Sequence, residues 1–331
     1  MKCRISVSIL WIGIPIVIIL LALCVGRYYL SPREVLVALS QGPNVTDDPA
    51  VLVIYKSRLP RILLAFLVGS GLAVTGCCFQ SVFSNPLASP DTLGVSSGAA
   101  FGAALGILIS GSMALVQGMS MLFGLVAIGA TFLLSRCRGD RSVLMIVLAG
   151  VISSAFFNAM ISTIKYVADP LSKLPEITYW LMGSMRGASY NDLELALPFI
   201  GAPVLLLFFL RWKLNVLILP EDEASSLGIN VKRLRWAIIM LCTLIIAACV
   251  SVCGQVGWVG LVIPHMVRRI VGTNHSDTLP ACISLGGSYL LVIDVLARSL
   301  TAGEIPLSVL TAVIGVPLFA ILFFRKEGER S

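Results

Sequence analysis

"ILLAFLVGSGLAVTGCCFQSVF" occupies positions 62–83. No charged residue interrupts it, and its length matches the roughly 20 residues an α-helix needs to cross the hydrocarbon core of a bilayer. Comparable runs recur at 6–26, 93–111, 113–135, 142–164, 192–212, 234–253, 257–271, 279–297 and 306–324. The composition agrees with this reading. Apolar residues make up 57% of the 331-residue chain and charged residues 12%, about half of the ~25% usual for soluble domains. No length remains for a separate soluble domain. Helices are the expected element, because a helix satisfies its own backbone hydrogen bonds where no water can.

The first run could be mistaken for a targeting segment, since Lys2 and Arg4 precede Ile5–Val25 as in a secretory signal. It is longer than a signal core of about 7–15 residues, so an uncleaved first span is expected. Leu23, next to Cys24, is too bulky for a lipoprotein cleavage site. The run at 257–271 is short and holds Pro264. Counting it puts Lys2, Arg4, Arg136, Arg138, Arg141, Arg211, Lys213, Lys232, Arg233, Arg235, Arg268, Arg269, Arg325, Lys326 and Arg330 on the cytoplasmic side, where basic residues concentrate. Omitting it exports the tail "FFRKEGER". The expected fold is therefore an all-α polytopic membrane protein, a single domain over 1–331, with about ten transmembrane helices and both termini cytoplasmic. The net charge of +7 then reflects orientation and lipid headgroups, and no basic stripe suggests nucleic acid.

Catalytic chemistry has little to work with. No phosphate-binding "GxxxxGK[ST]" occurs, so the chain is not expected to hold ATP itself. His265 and His275 are the two histidines, and neither stands at metal-ligand spacing from cysteines or carboxylates. Cys77, Cys78, Cys242, Cys249, Cys253 and Cys282 lie within apolar runs, where cysteine serves as a small packing residue. An ion-coupled carrier would need a working carboxylate in the membrane. Asp294 is the candidate, and Arg298 at i+4 is expected to neutralise it.

One polar element stands out. "PEDEASSLGIN" (220–230) carries Glu221, Asp222 and Glu223 in a row and falls on the expected cytoplasmic side. Pro220 suits a first helical turn, the acids complement the helix dipole, and Gly228 is a natural stop. A helix of about two turns is unstable alone in water and needs a surface to lie on. That surface is either the chain itself or a partner.

Four stretches together resemble one family. They are "RLPRILLAFLVGSGLAVTGCCFQ" (58–80) running into "NPLASPDTLGVSSGAAFGA" (85–103), then "GQVGWVGLVIPHMVRR" (254–269), "DVLARSL" (294–300) and "GEIPLSVLTAVIGVPLFAILF" (303–323). In order and spacing they resemble the FecCD-type permease subunits of ABC importers for iron-siderophore, haem and cobalamin. The resemblance implies a bacterial or archaeal plasma-membrane permease that pairs with a second permease subunit, identical or related. Two cytoplasmic ATPase subunits, binding ATP and Mg, would power it. A periplasmic or lipid-anchored binding protein would deliver the cargo, and this chain would hold no cofactor.

The resemblance also implies residue roles. Glu223, Ala224, Leu227 and Gly228, within a coupling loop over 213–233, would dock the ATPase. Arg58, Arg61 and Arg298 would meet acidic side chains of the binding protein, guanidinium forks being suited to carboxylates. Asn85 and Leu87 in "SNPLASP" (84–90) would narrow the pathway at its cytoplasmic end, with a second constriction expected near "RCRGDRS" (136–142). Ser153, Ser154, Asn158, Ser162 and Thr163 suit a pathway lining, though interhelical hydrogen bonding explains them equally. The expected cargo is a metal chelate, ferric siderophore first, with haem, cobalamin and molybdate-type oxyanions as alternatives. An ion-coupled secondary carrier and a non-transporting membrane scaffold are the rival readings.

Overall fold

A computed structural model of the chain describes residues 2–44, 47–136, 143–217, 221–301 and 303–324. Among these residues it holds helices and no strand. They are α1 (Lys2–Cys24), α2 (Pro32–Gln41), α3 (Pro49–Leu52), α4 (Leu59–Val82), α5 (Val95–Ile109), α6 (Met113–Arg136), α7 (Val143–Val167) and α8 (Lys173–Leu181). There follow α9 (Tyr190–Ala196), α10 (Ala202–Phe209), α11 (Arg211–Val216), α12 (Glu221–Ser226), α13 (Val231–Cys253), α14 (Val259–Val271), α15 (His275–Leu300) and α16 (Leu307–Phe324).

Every predicted span falls on helix, and among the described residues seven helical stretches are long and apolar enough to cross a membrane. α1 has 23 residues, whereas Val95–Ile109 has 15 and α14 has 13. Packing explains these two short helices. After α4 the chain folds back, so that the 3₁₀ turn Pro90–Leu93 lies beside the middle of α4 rather than beyond its end. A β-carbon on Gly260 would stand 2.5 Å from Pro90 Cγ and 2.9 Å from the Leu72 carbonyl. Thr131 donates to the Leu93 carbonyl at 3.0 Å. α5 and α14 thus both start inside the bundle and need fewer residues to leave it.

The predicted span at 62–83 is the end of a longer helical stretch, Pro49–Val82, of 34 residues. Asp48 caps its start by accepting from the Ala50 amide at 2.8 Å, and Pro49 fits the first turn. A π-helical segment, Val53–Arg58, links α3 to α4 and ends two residues before Pro60. A second, Leu197–Gly201, links α9 to α10 and ends two residues before Pro203. In a regular helix a proline ring collides with the carbonyl four residues back. The wider π turn moves that carbonyl aside, so the helix continues without a break.

α4 is the axis of the bundle, with 83% of its most apolar window buried. It is reached so closely because glycines remove side chains at the contacts. A β-carbon on Gly69 would fall 2.3 Å from the Gly286 carbonyl of α15, and one on Gly76 only 1.8 Å from the Gly260 carbonyl of α14. In lipid there is no hydrophobic force between helices, so such close van der Waals approach holds them together. A second apolar core joins α5, α6, α7 and α8, where Phe101 meets Phe123 edge-on at 4.9 Å between ring centres.

These contacts yield a test. Gly76→Ala drives a methyl into backbone and is expected to destabilise the detergent-solubilised protein by about 1–3 kcal/mol or more. Gly129→Ala on α6, where nothing lies within 4 Å of the new methyl, is expected to leave the melting temperature in place. Thermal unfolding followed by size-exclusion chromatography reads both.

Candidate functional site

Polar side chains gather at the two ends of α4. At its first end three arginines and two carboxylates form one buried network. Arg61 donates from Nε to Asp294 Oδ1 at 2.9 Å, and through Nη2 and Nη1 to Glu304 at 3.0 and 3.3 Å. Asp294 is fully enclosed, whereas the Glu304 side chain is 14% exposed. Arg298 Nε stands 3.8 Å from Asp294 Oδ2, and its Nη2 donates to the Ala22 carbonyl at 2.7 Å. Arg58 donates to the Leu23 and Tyr28 carbonyls. Gly26 makes room for it, since a β-carbon there would lie 2.8 Å from Arg58 Nη2.

The arginines therefore tie the frayed end of α1, the start of α4 and the end of α15 together. Helix-end carbonyls lack partners within their own helix, and guanidinium groups supply them here. Desolvating ions is costly unless each is paired and hydrogen-bonded. Arg61 and Arg298 face the two carboxylates, while the Ala22 carbonyl accepts from Arg298 and those of Leu23 and Tyr28 accept from Arg58. The segment after α15 carries the second acid under constraint, because Glu304 has φ +56. That left-handed conformation costs a non-glycine residue about 1–3 kcal/mol and persists only where surroundings enforce it.

At the other end of α4, residues 84–87 project into the open, with Leu87 53% exposed. Asn85 Oδ1 accepts from the Leu87 amide at 2.9 Å, an Asx turn that fixes the tip. Beneath it Arg268 of α14 donates to Gln80 Oε1. The buried His275 links Ser81 of α4 to α11, its Nδ1 lying 2.9 Å from Asn215 Oδ1 and its Nε2 in contact with the Ser81 hydroxyl, which itself donates to the Cys77 carbonyl at 2.9 Å. Asn215 in turn donates to Asn274 at 3.0 Å.

The short helix α12 follows α11 at this end. Ala224 is buried against the bundle, whereas Glu223 and Gly228 are exposed and Leu227 is 61% exposed. Gly228 takes φ +73 and turns the chain out of the helix. Pro220 and the loop 137–142 lie outside the described residues.

The structure thus brings Arg58, Arg61 and Arg298 into one network, and Asn85, Leu87 and the Glu223–Gly228 element to the opposite end of α4. Two features depart from the sequence reading. Asp294 is held first by Arg61 at 2.9 Å and only at 3.8 Å by Arg298, because Asp294 is aimed across to α4 rather than along its own helix. Glu304, which sequence reasoning passed over, completes the Arg61 site. Its nearest signal is its place in "GEIP", where a strained turn brings it back towards α4. On α7, Ser153 is buried and reaches the Ala127 carbonyl at 3.4 Å, whereas Asn158, Ser162 and Thr163 are exposed. The six apolar-run cysteines are buried and free, and no group of three or more potential metal ligands occurs among the described residues.

A multi-helix bundle around one enclosed helix, with its polar groups at the helix ends, is the build of a membrane permease. Residues 14–325 match the model of the FecCD transport family. The chain belongs to that family, the membrane permease subunits of ABC importers. The molybdate import system permease protein MolB of Haemophilus influenzae is 42% identical over 308 residues, 92% of this chain and 91% of that one. The hemin transport system permease protein HmuU of Yersinia pestis is 37% identical over 293 residues, 86% of this chain and 87% of that one. A solved structure described as an inward-facing metal-chelate type ABC transporter superimposes with a TM-score of 0.88 at 38% identity, covering 97% of this chain and 99% of that one.

Asp294 is the carboxylate that Arg298 faces and the fully enclosed partner of Arg61, so removing it strands the buried Arg298 charge. Asp294→Asn is accordingly expected to destabilise the protein by about 3–5 kcal/mol. Glu304→Gln, partly exposed and leaving Arg61 paired with Asp294, is expected to cost under about 1 kcal/mol. Melting temperatures of the purified variants distinguish the two.

Proposed function

We propose that this permease has ten spans with both termini in the cytoplasm, and that it passes a metal chelate inward, ferric siderophore first. Asn85 and Leu87 close the cytoplasmic end, and the exposed face of α7 with Asn158, Ser162 and Thr163 lines the route. The exposed Asn158 amide supports this lining, since an amide is expensive against lipid; the Ser162 and Thr163 hydroxyls bond back to the Asn158 and Ala159 carbonyls at 3.0 and 3.1 Å. A second cargo reading, molybdate, is favoured by the 42% identity to the molybdate permease. Uptake of radioactive ferric siderophore against radioactive molybdate separates the two.

The observation that carries the ATP-driven reading is the α12 element. Glu223 on the six-residue helix and Leu227 just after it stand out from the chain, while Ala224 is buried against the bundle, which is the form of a docking knob. Glu223, Leu227 and Gly228 seat it on the ATPase while the buried Ala224 holds the element to the bundle, and ATP with Mg on that partner drives the switch of access. A binding protein docks at the opposite face. Of the three arginines, Arg61 is the one whose fork faces a partly exposed carboxylate, so we assign it the contact. Arg58 and Arg298 support it by fixing the end of α1. Asp294 is clamped between guanidinium groups, which weighs against a proton-relaying carrier.

Glu223→Arg with Leu227→Asp changes side chains that the bundle does not use. The double variant is expected to fold and insert normally but to lose at least ~90% of the ATPase that co-purifies with wild type in detergent. Equal recovery of the ATPase would remove the docking role from α12.

A further inference from the structure

The Arg61 fork is already filled. Glu304 occupies its outer side at 3.0 and 3.3 Å, Asp294 its inner side. The two carboxylates differ in every respect that matters. Asp294 sits on a helix, is fully enclosed and has a second guanidinium beside it. Glu304 sits on a short connection, has solvent access and holds a left-handed backbone. An incoming carboxylate from a partner can reach only the side that Glu304 covers, and the guanidinium geometry accepts one carboxylate there, not two.

The connection that Glu304 fastens is joined to the rest of that face by backbone bonds. The Ile305 amide donates to the Ala297 carbonyl at 3.1 Å. The Leu307 and Ser308 amides, at the start of α16, donate to the carbonyls of Gly183 and Met182 at 2.9 and 3.1 Å, and the Ser308 hydroxyl adds a bond to Met182 at 2.6 Å. Releasing Glu304 therefore loosens the root of α16, one of the least enclosed helices of the bundle, with 22% of its window buried.

We infer that Glu304 is a built-in stand-in for the partner's acid: it occupies Arg61 while the permease is alone, and the docking carboxylate displaces it, unfastening the 303–308 segment and the start of α16. The inference rests on the docking reading given above. It makes Glu304 a positioning residue that acts through Arg61, and it fits a partner presenting an Asp or Glu side chain to this face. A strained conformation held by a replaceable ion pair is suited to a switch, because the strain favours the displaced state once the pair is exchanged.

The sign of the effect on binding tests it. The intact transporter, permease with its ATPase in lipid nanodiscs, is titrated with its cognate substrate-binding protein. Glu304→Gln is expected to bind that protein at least about fivefold more tightly than wild type, because the competitor is gone, and Arg61→Gln at least about tenfold more weakly. If Glu304 only holds the fold, Glu304→Gln binds equally or more weakly, and the inference is overturned. Hydrogen exchange supplies a readout independent of the partner. Amides of 303–308 are expected to exchange about threefold faster in Glu304→Gln, with α4 unchanged. Unchanged protection of 303–308 also overturns it. Should wild type fail to bind the protein while 303–308 still loosens in Glu304→Gln, the docking reading fails and Glu304 remains as a fastening without its displacer.

Discussion

The backbone-to-backbone approach of α4 to α14 and α15 is the constraint on which the remaining features depend. A membrane interior offers helices no gain from hiding apolar side chains, so a helix enclosed on all sides must be held by contact distance alone. Gly76 against Gly260 and Gly69 against Gly286 provide that distance. They also set the register of three helices. With α4 and α15 locked in the middle, Arg61 must face Asp294 at one end and Ser81 must face His275 at the other.

The helical bundle could be read from the sequence because apolar length is a direct physical signal. Its limits were less legible where length ceases to be informative. The stretch 49–61 carries Lys56, Arg58 and Arg61, and so it does not resemble a span, yet the helix runs through it by way of a π turn that absorbs Pro60. α2 went unread for a different reason, being too short and polar. A signal existed in "SPRE": Ser31 accepts from the Glu34 amide while Glu34 returns to the Ser31 amide at 2.7 Å, a capping box with proline in the first turn. The same hydroxyl and amide hold the Glu34 carboxyl below the usual carboxylate range.

The sites divide along a similar line. Residues that act from a local conformation were readable, as with Gly228 ending α12 or Asn85 turning the loop around Pro86. Pairings across the bundle were not. The i+4 rule linked Asp294 to Arg298 correctly as neighbours, but the shorter contact runs to a residue 233 positions away in sequence. No spacing encodes that distance. It follows from where two helices cross, and Glu304 entered the network only because the chain turns sharply after α15.

The rigid middle and the polar ends together limit how this molecule can change shape. α4 and α15 share glycine contacts along their centres and a polar network at each end, so they move as one body. Sliding one past the other would break both networks and drive Gly69 and Gly286 against side chains. The loosely enclosed elements are α7, α10 and α16, with 28%, 22% and 22% of their windows buried in the regions they dominate. These outer helices are the ones that the single chain encloses least against the α4–α15 pair. The connections that join them to the pair are the places where a partner can act. One of them is the 303–308 segment, fastened through Glu304. Another is α11, where Asn215 Oδ1 accepts from the His275 amide at 2.9 Å. Both places reach the α4–α15 pair through a few polar contacts, and polar contacts are what a charged or hydrogen-bonding partner can exchange.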